Sequence, residues 1–174
     1  QAALGHASVA HEPTLSCETL IRDRDMRNPS HSPGGTGELF PDATLPLADG
    51  RSLSIDSLRV RYDLVILMLG AGAIDPAAAR LLDALARGRS VIEGEDGRVL
   101  VVHAADRSPV SSEWRWPFPL LLDAHARLHT RVGALDAEGQ PTTSLYVTDR
   151  YREIYAATRP EQPDWPATVD DVLQ

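Results

Sequence analysis

The longest apolar run in the chain covers residues 64–69, with Asp63 just before it. An unbroken apolar run of strand length marks a strand covered on both faces. Before it, Ala43, Leu45 and Leu47 alternate, and Asp49-Gly50 supplies turn chemistry ahead of residues 52–55, which predicts a hairpin. After it, Asp75-Pro76 reads as a helix N-cap followed by proline at the first helical position. Leu81, Leu82, Leu85 and Ala86 carry that helix's apolar stripe, and Gly88 is expected to end it. Residues 98–105 give a second buried-type strand, 109–114 a short helix, and 119–122 a short strand. Leu128 and Val132 face a helix that stops at Gly133. Ser144–Thr148 is a strand, 149–152 a turn and 153–157 its hairpin partner, and Val169, Val172 and Leu173 begin a final helix.

Strands alternating with helices predict a layered α/β domain with parallel central strands. Residues 1–37 break the pattern. They hold His6, His11, several prolines and Gly34-Gly35-Thr36-Gly37, with a short helix predicted over 16–26. This segment is expected to be an extension or arm joined by a Gly/Pro linker to a domain over 38–174.

Composition narrows the function. The 174 residues carry a net charge of −8, and all 17 basic residues are arginine, interleaved with acids. That distribution argues against nucleic-acid binding. No apolar run approaches membrane-spanning length, so no membrane role is expected. The single cysteine, Cys17, excludes an intramolecular disulfide and any Cys-pair metal site, which makes the cytoplasm the expected location. The absence of lysine, with Asn28 the only asparagine, reads as nucleotide-composition bias.

Four segments together are similar to the thioredoxin-like superfamily, in its peroxiredoxin branch (alkyl hydroperoxide reductase/thiol-specific antioxidant). Residues 39–45 with Asp49-Gly50-Arg51 resemble that group's opening hairpin. Asp63–Leu69 and the helix at Asp75 sit where its redox strand and helix stand. Residues 118–123, Phe-Pro-Leu-Leu-Leu-Asp, resemble its "FPLL-D" segment, and residues 139–149 resemble the strand after its cis-proline. The resemblance implies a three-layer fold, with a central mixed sheet, helices on both faces, an N-terminal hairpin and an N-terminal extension. It also implies that Pro141 occupies the cis-proline position, with Thr142 beside it in a groove.

The family places a nucleophilic cysteine between the first buried strand and the next helix, where the helix N-terminus favours the thiolate. Here that stretch reads Gly70-Ala71-Gly72-Ala73-Ile74-Asp75-Pro76. Gly72, Ala73, Ile74 and Asp75 are thus degenerate redox-site positions, without a thiol. The expectation is a peroxiredoxin-like pseudoenzyme, a binding or assembly module with no cofactor and a protein or peptide partner, a second copy included. The alternative is a thiol-dependent peroxidase or reductase that uses Cys17 from the arm, although Glu18 beside it disfavours the thiolate.

Other constellations read more simply as structure. Gly70-x-Gly72-x-x-Asp75 follows a strand and opens a helix, yet Asp75 would oppose a pyrophosphate. His125 and His129 have metal-ligand spacing, but the helix lacks the zinc-protease glutamate, so a solvated face is expected. His103 at a strand end is expected to be a hydrogen-bonded structural histidine. Trp114-Arg115-Trp116 is expected mainly to pack.

Overall fold

A computed structural model describes residues 34–105 and 114–160. The arm helix predicted at 16–26, Cys17, nearly all of the short helix predicted at 109–114, and the final helix from Val169 lie outside the described residues.

Two short strands, β1 (Thr44–Pro46) and β2 (Ser52–Ser54), form an antiparallel hairpin in which Leu45 faces Leu53. The main sheet holds β3 (Asp63–Leu69), β4 (Gly97–His103), β5 (Leu120–Leu122), β6 (Ser144–Thr148) and β7 (Ile154–Thr158), in the order β5-β4-β3-β6-β7. β3, β4 and β5 run parallel, whereas β6 and β7 run antiparallel to their neighbours. The parallel centre was legible from the strand–helix alternation, and the mixed sheet agrees with the family resemblance.

Side chains alternate across a strand, so β3 serves two cores at once. Val65, Leu67 and Leu69 pack with Leu82 and Leu85 of helix α1 (Pro76–Gly94). Leu64, Ile66 and Met68 pack on the opposite face with Phe40, Ile55 and the short helix α2 (Arg127–Val132). Helices thus cover both faces.

Asp75 caps α1 as its position predicts: one carboxylate oxygen accepts the N–H groups of Ala77 and Ala78 at 2.9 and 2.8 Å, with Pro76 following. The end of α1 differs from expectation, because the helix passes through Gly88 and continues to Gly94. An interior glycine costs about 1 kcal/mol relative to alanine. Burying a side chain such as Ile92 one turn later returns about 1.5–3 kcal/mol, and Ile92 is buried. It packs against Gly97, where an added Cβ would lie 2.6 Å from Ile92 Cγ2. Helix α2 ends where expected, with Gly133 in the left-handed conformation at φ 69°.

Among the described residues, no helix is long and apolar enough to cross a membrane. Burial along α1 predicts a contrast measurable by urea unfolding. Leu82→Ala, in the core, should cost about 2–5 kcal/mol, whereas Val91→Ala, at an exposed position, should change stability by less than about 0.5 kcal/mol.

Candidate functional site

The candidate site is the junction where β3 hands over to α1. Ala71, Gly72 and Ala73 are exposed there, while Gly70, Ile74 and Asp75 are half-buried. Gly72 has φ +95°, a conformation that side chains with a Cβ rarely adopt, although nothing lies within 4 Å of where the Cβ would be. The backbone, rather than crowding, selects glycine at this position. The remaining carboxylate oxygen of Asp75 accepts the Thr143 hydroxyl at 2.7 Å. Asp75 therefore both caps α1 and ties the loop to the entry of β6.

The second wall of the site is residues 141–143. A Cβ at Gly70 would lie 2.7 Å from the Pro141 carbonyl oxygen, so the two backbones touch only because residue 70 is glycine. The chain before β6 is held by Thr142 N–H donating to the Ala134 carbonyl at 3.0 Å. The structure thus brings Gly70 against Pro141 and Thr142, and Asp75 against Thr143. The isomer differs: no peptide bond among the described residues is cis. The Gln140–Pro141 bond is trans. The contact with Gly70 and the Leu135–Pro141 bridge are both made in that form.

Beneath the loop lie two histidines that sequence reasoning placed only in part. His103, the last residue of β4, is buried and its Nε2 lies 2.9 Å from the Gly72 carbonyl oxygen. A carbonyl only accepts, so Nε2 carries the hydrogen. Its Nδ1 is buried and, among the described residues, has no hydrogen-bond partner. Burial pushes this imidazole below its ordinary pKa; donation to Gly72 works against that, and the neighbouring His129 adds to the lowering.

His129 was expected on a solvated helix face, and this is wrong. It is fully buried. Its Nδ1 lies 2.7 Å from an Asp123 carboxylate oxygen and its Nε2 3.0 Å from the Leu69 carbonyl oxygen. His125, four residues earlier, precedes α2, is exposed, and has φ 59°. The pair therefore does not share a helix face, and among the described residues no three potential ligands gather for a metal. Two left-handed residues, His125 and Ala126, separate Asp123 from α2, which disguises Asp123 as a cap. Its carboxylate nonetheless receives the N–H groups of Leu128 and His129 at 3.0 and 2.9 Å. Burial acts to raise the Asp123 pKa, but the His129 ring and these two N–H groups outweigh it and hold the carboxyl below the usual range.

Trp114 and Trp116 pack edge-to-face at 5.0 Å beside the α1 core. Their indole N–H groups reach the Phe118 carbonyl and Asp83. Packing is their evident role, with Arg115 lying over the Trp116 ring. A cleft of about 600 Å³ opens between β1 and α2 and is lined by Asp42, Leu45, Leu122 and Arg131 among others. None of residues 70–75 lines it.

No protein-family model matches this chain, and no curated protein matches it. Solved structures do share its architecture. Mycobacterium tuberculosis AhpC superposes with a TM-score of 0.67 at 18% identity, covering 82% of this chain and 92% of that one. The peroxidoxin BcpB from Mycobacterium tuberculosis gives a TM-score of 0.66 at 17% identity, covering 79% and 95%. The thiol peroxidase from Chromobacterium violaceum gives 0.60 at 16%, covering 81% and 87%. The fold is thioredoxin-like, and structures of peroxiredoxin type are among those that share it.

Two outcomes follow for stability. Gly72→Ala should cost about 1–3 kcal/mol through its backbone conformation alone, while Ala73→Ser, at the exposed next position, should stay within about 0.5 kcal/mol. Folding depresses the pKa of both His103 and Asp123, so the folded chain binds fewer protons than the unfolded chain. The melting temperature should fall as pH drops below the ordinary histidine value of 6.5. A further fall should follow below the ordinary carboxyl value of 3.8, and calorimetry across that range measures both.

Proposed function

We propose that this is a thioredoxin-fold, peroxiredoxin-like domain that has lost thiol redox catalysis and acts as a binding or assembly module. The observation that carries the reading is the composition of the strand–loop–helix junction. Residues 70–75 are Gly-Ala-Gly-Ala-Ile-Asp, and the one carboxylate among them is committed to the α1 N–H groups and Thr143. Peroxide reduction requires a thiolate to attack the peroxide oxygen, and this junction holds no sulfur. What it does hold is an exposed stretch of nearly side-chain-free backbone beside Pro141 and Thr142, a surface suited to a peptide or protein segment. A second copy of the chain is one such partner. A domain with a single cysteine has no internal disulfide to maintain, which favours the cytoplasm.

The test is hydrogen peroxide consumption by the full chain with a thioredoxin or glutathione recycling system. Consumption should not exceed that of the recycling system alone. Turnover that disappears in Cys17→Ser would overturn the reading in favour of a one-cysteine peroxidase working from the arm.

A further inference from the structure

Two buried histidines hold the backbone at two points of the loop junction, and they differ in their hydrogen-bond partners. His129 meets the Leu69 carbonyl at the end of β3, and His103 meets the Gly72 carbonyl three residues later. The His129 ring has a partner at each nitrogen, the Asp123 carboxylate at 2.7 Å and the Leu69 carbonyl at 3.0 Å. His103 has one acceptor, at Nε2, and among the described residues nothing at Nδ1. Its arrangement is complete with a single hydrogen.

We propose that His103 is a proton-operated latch on residues 70–74, closed while its ring is neutral and released when its Nδ1 takes up a proton. A proton on Nδ1 would create a buried N–H with no acceptor and a full charge out of water, both of which are costly. Among the described residues, His129 on α2 is the titratable group that acts on the His103 ring. The nearby carboxylates are already engaged: Asp123 after β5 is bonded to His129, and Asp75 at the start of α1 is held by its own helix and Thr143. Neither is left to receive a cation at His103. Turning the ring toward water, at the expense of the Gly72 bond, relieves the conflict. The loop can follow, because Ala71, Gly72 and Ala73 are exposed and carry at most a methyl group. The anchors at Leu69 and Asp75 confine the release to the residues between them.

If residues 70–75 form a partner-binding groove, as proposed above, the latch makes that groove open to regulation by acid. That consequence rests on the binding reading, but the latch is a property of the free domain and is tested without a partner. Nitrogen-15 NMR of the full chain follows a pH titration from about pH 7.5 downward through titration of the His103 ring. Order parameters at residues 71–73 should fall from about 0.85 to below about 0.6, in step with titration of the His103 ring, while β3 stays rigid. His103→Gln keeps an N–H donor for the Gly72 carbonyl but cannot titrate, so its loop should remain ordered over the same range. Titration of the His103 ring with the loop equally ordered before and after would overturn the latch, as would a ring that stays neutral until the whole domain unfolds, or loosening that persists in His103→Gln. Should the variant fail to fold, ring titration in the wild type without a matching change at residues 71–73 is equally decisive against it.

Discussion

Strand β3 has water on neither face, and the domain is organised around that constraint. Six consecutive apolar side chains, Leu64 to Leu69, divide between two cores. Each core needs its own cover: α1 on one side, and α2 with the residues around the hairpin on the other. A strand buried on both faces must also pair along both edges, since unpaired backbone groups away from water are costly. β4 and β6 complete that pairing. The chain emerging from β3 then passes through a tight loop into α1.

Much of this frame was legible in the residues themselves. Unbroken hydrophobicity placed β3, Asp75-Pro76 placed the start of α1, and Gly133 placed the end of α2, because each signal acts within a few residues. The misses turned on packing that hydrophobic periodicity does not report. The passage of α1 through Gly88 depends on the packing of Ile92 against Gly97. The burial of His129 depends on the Leu69 carbonyl, 60 residues away. No local pattern reports such contacts, and the left-handed pair at His125 and Ala126 broke the spacing that would have revealed Asp123 as a cap. The loop was located from the family resemblance, but its support by His103 and Thr143 could be seen only in three dimensions.

At the junction, polar chemistry lies in the interior. The exposed residues 71–73 carry methyl groups and hydrogens, while His103 and His129 lie buried against the Gly72 and Leu69 carbonyls. Such an arrangement holds the backbone in shape. It also accounts for the demands on Asp123, which holds a buried ring and completes the start of α2 with the same two oxygens.

The segment ahead of the hairpin has a mechanical consequence. Gly37 N–H donates to the Ile154 carbonyl, Ile154 N–H to the Glu38 carbonyl, and Phe40 N–H to the Arg152 carbonyl, at 2.7–2.9 Å. Phe40 itself is fully buried against Tyr146. Tension entering the domain through residue 37 therefore meets this short antiparallel clasp before it reaches either core. Whatever the preceding residues are tethered to, the clasp and the Phe40 anchor behind it are the parts of the domain that would first resist the pull.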